Sequence, residues 1–207
     1  MPDAPRHKAY SQVRDDARDL LRRNVVEAAD HLLMTEGPEA LTVRRIADEL
    51  NASTKVLYSL FEGKDGLANA LYLEGCARLR DTIGQVPLEG ELRAYIVGCC
   101  RAYWAFAQAN PGYYGVMFGN AIPHFEPDQE SLATVTTAFG KLIETLTYYQ
   151  AQGQLPTRTI PELVHLIWAP IHGVISLLHG GHLTEDEAIR LYESVVAAVT
   201  VYVLGPV

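Results

Sequence analysis

Apolar residues recur at intervals of three and four along nearly all of the 207-residue chain, and this spacing constrains the fold more than any other feature. In the first clear segment they form one stripe on a helix that ends near Gly37, made of Leu21, Val25, Ala28, Ala29, Leu32 and Leu33. Alternation with a period of two does not persist, and no Asn-Gly or Asp-Gly turn joins two β-branched runs. The sequence therefore predicts an all-α protein.

Glycine and proline divide this pattern into segments, because both residues interrupt helices. After the first helix the spacing predicts helices at residues 43–50, 54–60, 64–81, 91–109, 113–118, 131–152, 161–178 and 185–204. The break at Pro87 and Gly90 marks the region of a domain boundary.

Charge is distributed unevenly along the chain. The sequence has 17 basic and 25 acidic residues, a formal net charge of −8, which taken whole argues against a nucleic-acid partner. Residues 1–64 hold 10 basic and 11 acidic side chains, whereas residues 65–207 hold 7 and 14. The acidity therefore belongs to the C-terminal part, and the N-terminal part is nearly neutral.

The N-terminus is polar as far as Arg18 and lacks the apolar segment of a signal peptide. The most apolar stretch, residues 163–178, is interrupted by His165, Pro170 and His172 and is too short to span a membrane cleanly. We therefore expect a cytoplasmic protein with no membrane partner.

The cysteines and the histidine series give no sign of a metal or cofactor. Cys76, Cys99 and Cys100 match neither a CxxC motif nor a disulfide framework, so we expect buried small hydrophobes. A helix rises about 10.5 Å over seven residues, too far for one zinc ion with bonds of about 2 Å to bridge histidines at that interval. That interval separates His165, His172 and His179. A zinc site shared between subunits stays open as an alternative.

The segment around Asn51 has the pattern of two short helices that cross. Thr42 and Ser53 each offer a hydroxyl that can cap a helix, and Asn51 tolerates the positive φ of a tight turn. On the second helix Leu57 and Leu60 share one side. The other side carries a charge, two hydroxyls and an amphipathic ring, from Thr54, Lys55, Tyr58 and Ser59. Such an outer face fits the major groove of DNA, which is about 12 Å wide.

Candidate phosphate-binding groups surround this second helix, because helix N-termini and nearby cations bind phosphate well. They are Thr42, Arg44, Arg45 and Lys64, with Ser53 at the start of the second helix itself. Residues 41–64 hold 4 basic and 3 acidic side chains, so a DNA-facing surface requires that Asp48 and Glu49 point elsewhere. The alternative is an ordinary pair of helices with a solvated charged face.

Residues 20–70 resemble the N-terminal signature of the TetR family of transcriptional regulators. The resemblance is carried by Gly37, Leu41-Thr42-Val43-Arg44, Ile46-Ala47, Leu57-Tyr58, Phe61, Lys64 and Leu67. It implies that Thr42 and Tyr58 touch phosphates and that Lys64 anchors the DNA backbone. It also implies that base edges are read by Arg44, Thr54 and Lys55.

Three positions depart from the family pattern. Asn51-Ala52 stands where the family usually has Gly-Val, Lys55 where a small residue is common, and Leu60 where an aromatic residue or histidine is frequent. We expect these departures to change which operator is read rather than whether one is read.

The C-terminal part is rich in aromatic residues and is similar to a TetR-family ligand-domain class marked by Trp, His and Gly. The motif is Trp168-Ala169-Pro170-Ile171-His172-Gly173, and residues 103–106 and 110–118 also resemble that class. An apolar cavity lined by rings with a few polar tips is the usual form of a small-molecule site. The candidate ligand residues are Tyr103, Trp104, Phe106, Tyr114, Met117, Phe118, Trp168 and His172. The alternative is a plain aromatic core.

The predicted helices at 161–178 and 185–204 are apolar well beyond one stripe, so they need a partner. The resemblance implies a homodimer in which these helices form a four-helix bundle. A dimer would place two recognition helices about one DNA turn, ~34 Å, apart, which matches a palindromic operator.

These observations predict four parts. They are a flexible N-terminal arm (1–16), a three-helix helix-turn-helix DNA-binding domain (17–64), a connecting helix (65–86) and a helical ligand-binding and dimerisation domain (87–207). We expect a ligand-responsive regulator that binds double-stranded DNA, a repressor released from its operator by a small, largely apolar effector.

Two other classes of function compete with this prediction. A helical ligand-binding or interaction protein that has lost DNA binding is suggested only by the altered turn at Asn51-Ala52. An enzyme is disfavoured because the chain has no GxSxG, HExxH, GxGxxG or P-loop motif.

Overall fold

The computed structural model of the protein describes residues 10–37, 40–88, 90–119, 122 and 125–204. Within these residues it has ten helices and no strand, so the all-α prediction is confirmed. The helices are α1 (Tyr10–Thr35), α2 (Val43–Glu49), α3 (Thr54–Phe61), α4 (Lys64–Gly84), α5 (Leu92–Ala109), α6 (Pro111–Phe118), α7 (Gln129–Ala138), α8 (Gly140–Ala151), α9 (Ile160–His179) and α10 (Glu185–Leu204).

Helix α1 is longer than the sequence predicted. It begins at Tyr10, so residues 10–16 of the predicted flexible arm are helical, and residues 1–9 of that arm lie outside the described residues. Residues 10–20 contain neither glycine nor proline. A helix already anchored by its buried stripe can therefore extend through them at little cost per residue.

The helix-turn-helix forms as its capping residues predicted. The Thr42 hydroxyl accepts a hydrogen bond from the backbone N–H of Arg45, and the Ser53 hydroxyl accepts one from Val56. Asn51 has a φ of 49°, the left-handed conformation predicted for the turn. Each short helix therefore begins on its own side-chain cap.

The described residues divide into two compact units. The first combines the chain up to Glu74 with Pro111–Asp128, and the second combines Gly75–Asn110 with the chain from Gln129 onward. Helix α6 thus groups with the N-terminal helices rather than with the predicted domain 87–207. It packs so closely on α1 that a Cβ atom at Gly112 would lie 2.6 Å from the Cβ of Leu33.

In the second unit α9 packs against α5, α8 and α10. A capping box starts α9, because Thr159 accepts from the backbone of Glu162 while the Glu162 carboxylate accepts from the backbone of Thr159. The predicted helix 131–152 is two helices, because Phe139, with φ of −95° and ψ of 8°, leaves the helical conformation directly before Gly140, and glycine weakens a helix. The prediction of one continuous helix there is wrong.

Helix α9 is the one helix in the described part of the chain whose length and hydropathy match a membrane span. Its inner side is occupied by protein, with Leu163, Ile167 and Ile171 almost fully buried. A core helix satisfies the same length and hydropathy criteria.

Candidate nucleic-acid interface and effector site

Helix α3 separates apolar from polar side chains. Leu57, Leu60 and Phe61 are buried. The outward side chains are exposed, and they are Ser53, Thr54, Lys55, Val56, Tyr58 and Ser59. All the α3 residues predicted to read DNA therefore lie on the accessible side of the helix.

The groups predicted to bind phosphate differ in their surroundings. Arg44 is exposed, whereas Arg45 forms an ion pair with Glu36 near the end of α1. Phosphate would have to compete with that carboxylate for Arg45. Lys64 is the first residue of α4, and its side chain lies outside the described part of the structure.

Two concave surfaces flank α3. On one flank Thr42, Arg44 and Tyr58 meet the start of α4 around a depression of about 390 Å³. On the other flank Lys55 and Ser59 meet α1 around a shallower one of about 600 Å³. Neither Asp48 nor Glu49 lines either surface, and Glu49 lies 3.1 Å from the ring of His31.

The second flank contains basic residues that the sequence reasoning missed. Arg14 and Arg18 of α1 line it together with Lys55. Their spacing of four and three residues continues the stripe of Leu21 toward the N-terminus, and this spacing is the signal in the sequence that indicates them.

The Trp-His-Gly motif joins α9 to α5 through a hydrogen bond. The Tyr103 hydroxyl lies 2.9 Å from Nδ1 of His172, and the Ser176 hydroxyl lies 3.4 Å from its Nε2. Burial lowers the pKa of His172, which favours the neutral ring. The rings of Trp168 and Phe139 pack beside it, with centroids 5.5 Å apart.

This aromatic cluster is closely packed. The space between Tyr103, Trp168, Phe139 and the thiols of Cys99 and Cys100 is only about 20 Å³, close to the minimum for one water molecule. Within the second unit the cluster is therefore a core with a small void rather than an open ligand cavity.

A larger groove lies on the other side of Phe139 and Trp168, which line both spaces. Its volume is about 330 Å³, and its walls come from α7, α8 and the first half of α9. They are Val135, Thr136, Phe139, Ile143, Thr147, Ile160, Pro161, Val164, His165 and Trp168. The lining has two hydroxyls and one imidazole but no carboxylate, lysine or arginine.

The eight predicted ligand residues, all of which the structure describes, are divided between the two units. Only Trp168 lines the groove. Tyr103, Trp104, Phe106 and His172 belong to the same unit, where the Trp104 ring packs at a tilt against Tyr192 with centroids 4.6 Å apart. Three lie on α6 in the first unit, namely Tyr114, Met117 and Phe118.

The cysteines are buried and free, as predicted. Burial raises the pKa of Cys76 and of Cys99 to about 11, and that of Cys100 to about 12, so all three are neutral thiols at pH 7. No cluster of three or more potential metal ligands occurs among the described residues.

Comparison with known families shows which family the chain belongs to. A family model described as "Bacterial regulatory proteins, tetR family" matches residues 25–71, and one described as "Tetracyclin repressor-like, C-terminal domain" matches residues 96–199, half of the chain. The chain belongs to the TetR family. The family is one of bacterial regulatory proteins, and relatives of this chain are named HTH-type transcriptional regulators.

Individual relatives are distant. The HTH-type transcriptional regulator Rv1816 of Mycobacterium tuberculosis is 24% identical over 127 residues, which are 60% of this chain and 54% of that protein. The chain thus matches about half the length of this relative. Rv0681 of the same organism, an uncharacterised HTH-type regulator, is 23% identical over 94% of this chain and 89% of its own.

Solved structures show the same fold at low identity. A protein of unknown function from Rhodococcus sp. RHA1 superposes with a TM-score of 0.71 and 21% identity, over 98% of this chain and 100% of its own. The TetR-family regulator PfmR from Thermus thermophilus superposes with a TM-score of 0.60 and 17% identity, over 86% of this chain and 95% of its own length. At this identity the likeness supports the fold alone.

Proposed function

We propose that this protein is a homodimeric, ligand-responsive repressor that binds a palindromic operator and leaves it when a small, largely apolar effector binds. The observation that carries the proposal is the separation on α3 of buried Leu57 and Leu60 from exposed Thr54, Lys55 and Tyr58 in a TetR-family helix-turn-helix.

In this proposal α3 occupies the major groove. Lys55 is at the centre of its exposed side and reaches base edges, as do Thr54 and Arg44. Thr42 and Tyr58 share the depression beside α4, where they fit one phosphate backbone. The family resemblance adds Lys64 as a backbone contact, and Ser53 and Ser59 border the reading face.

Dimerisation through α9 and α10 is supported by the apolar side chains these helices expose. Leu177 is 41% exposed, Ile189 40%, Val201 44% and Tyr202 59%. Apolar surface of this kind marks a protein interface when it is contiguous. Two copies joined there would present two α3 helices to adjacent major grooves.

The groove on α8 and α9 is the effector site we favour. Its volume of about 330 Å³ lies at the lower end of ligand pockets, and its uncharged, mostly apolar lining suits an uncharged, largely apolar molecule. A TetR variant from Acinetobacter baumannii has been crystallised with minocycline, which supports a small-molecule effector for this fold.

Within the second unit, helix α8 connects that groove to the C-terminal end of α4. Phe139, Ile143 and Thr147 line the groove at four-residue intervals. Lys141, on the opposite side of the helix, donates from Nζ to the carbonyl oxygens of Gly84 and Val86 at the end of α4. An effector that binds one position of α8 more tightly would thereby favour one position of α4.

The test selects bound fragments from genomic DNA with the purified protein, then screens small uncharged apolar compounds for release. We expect palindromic fragments and a compound that weakens binding about 5- to 150-fold. Failure to retain any duplex would overturn the proposal in favour of a helical interaction protein.

A further inference from the structure

We propose that Arg14 and Arg18 of α1 bind the DNA backbone beside the recognition helix, on the flank away from Thr42 and Tyr58. This inference rests on the proposed function and extends it to a second phosphate-binding surface that the helix-turn-helix alone does not supply.

The geometry of this surface depends on the N-terminal part of α1, which begins at Tyr10. Arg14, Arg18 and Leu21 follow each other at intervals of four and three, so they share one face of the helix. That face forms one concave surface of about 600 Å³ with Lys55 and Ser59 of α3. The two arginines therefore border the same exposed side of α3 that is proposed to read bases.

The charge of this surface suits phosphate. Its lining has three cations, Arg14, Arg18 and Lys55, against a single carboxylate, Asp15, in a chain whose net charge is −8. The other acids nearby on α1, Asp16 and Asp19, do not line it. An anionic polymer is the occupant that this local excess of positive charge favours.

The carboxylate in the lining is a weak competitor. Nε of Arg14 lies 3.7 Å from Oδ1 of Asp15, and both side chains are largely exposed, at 71% and 65%. Exposed pairs of this kind contribute little, because water and salt screen them. Arg14 can exchange this partner for a phosphate oxygen.

The shape of duplex DNA explains why both flanks would be used. A helix in the major groove is bordered by two phosphate backbones, one on each side. Thr42 and Tyr58 face one side of α3, and Arg14 and Arg18 face the other. The two sets would contact opposite strands.

The experiment measures binding to an operator duplex and to a scrambled duplex of equal length by fluorescence anisotropy, between about 50 and 200 mM salt. We compare wild type with Arg14→Gln, Arg18→Gln and Arg23→Gln. Arg23 is the matched control, because it is exposed on α1 but does not line the surface.

We expect each of the first two substitutions to lower the slope of log K against log salt by about 0.9 on both duplexes, with operator preference unchanged. Arg23→Gln should leave the slope as in wild type. Thermal melting of all three should match wild type, since the side chains are exposed.

Three results would overturn the inference. The slopes of Arg14→Gln and Arg18→Gln could equal that of wild type, or Arg23→Gln could lower the slope as much. The substitutions could also alter the sedimentation mass instead, which would assign the surface to a second copy of the chain. If wild type itself binds neither duplex, the proposed function fails. If wild type binds and the arginine variants keep its slope, this inference alone fails, so the two failures are distinguishable.

Discussion

The ammonium group of Lys141 lies 2.9 Å from the carbonyl oxygen of Gly84, the last residue of α4, and 3.1 Å from that of Val86. The final carbonyls of a helix have no partner within the helix, and a cation there complements the helix dipole. Val86 is also held by α5, because a Cβ at Gly98 would lie 2.8 Å from its Cγ1. The end of α4 is therefore fixed by α8 and α5 together.

Replacing Lys141 by methionine removes both hydrogen bonds while keeping most of the apolar side chain. Charged hydrogen bonds contribute about 1.5 to 3 kcal/mol, so the amides of residues 82–86 should exchange roughly tenfold faster or more. Hydrogen exchange followed by mass spectrometry measures this, with Glu144→Gln on α8 as the control. Equal protection in Lys141→Met and wild type would show that the contact does not hold α4.

Acid should destabilise the second unit through His172. Burial lowers its pKa below the ordinary 6.5, so the unfolded chain binds the proton more readily than the folded one. The contribution of the neutral His172 to the free energy of unfolding is therefore fully present above about pH 6.5 and declines as the pH falls below that value. His179 has a pKa lowered by the same cause and adds to the effect.

Thermal melting at pH 7.5 and pH 5.5 tests this, and His172→Gln should reduce the difference between the two midpoints. The Glu162 and Glu187 carboxylates, whose pKa values are lowered by capping hydrogen bonds, titrate below this window. A difference unchanged by the substitution would assign the acid sensitivity to other groups.

Gly112→Ala should separate α6 from α1. The added methyl group would lie 2.6 Å from the Cβ of Leu33, and a Cβ cannot turn aside as the end of a long side chain can. Overpacking of this kind costs about 1 to 3 kcal/mol, measurable by urea denaturation. Gly140→Ala, where nothing lies within 4 Å of the new atom, should cost nothing. Equal stability of the two variants would contradict this close packing.

Val201→Glu should weaken the proposed dimer. Val201 is 44% exposed on α10, and a buried unpaired carboxylate at an interface is costly. Analytical ultracentrifugation should show a shift toward monomer with weaker operator binding. Leu132→Glu makes the same change at a side chain 51% exposed on α7 and should remain dimeric. A dimeric Val201→Glu would place the interface elsewhere.

Local signals predicted the helix-turn-helix well. The caps at Thr42 and Ser53 and the turn at Asn51 depend on a few neighbouring residues, so the sequence contains all the information they need. The buried side of α3 follows from spacing alone.

Features that depend on distant packing were not predictable. The ring of Phe139, at the break between α7 and α8, packs on Trp168 of α9, and nothing near it in sequence indicates this contact. The close approach of Gly112 to Leu33 likewise joins α6 to α1 across the chain. The spacing of the aromatic residues allowed both a ligand cavity and a plain aromatic core, and it could not distinguish a filled core from an open cavity.

The central claim is that α3 of two identical subunits reads duplex DNA. Its most direct test is a titration of the selected operator and a scrambled duplex with wild type and Lys55→Ala, at several salt concentrations. We predict salt-dependent binding of one dimer per operator, and a loss of about 1 to 3 kcal/mol of operator preference in Lys55→Ala. Binding with the same preference in both proteins, or no binding of duplex by wild type at low salt, would contradict the claim.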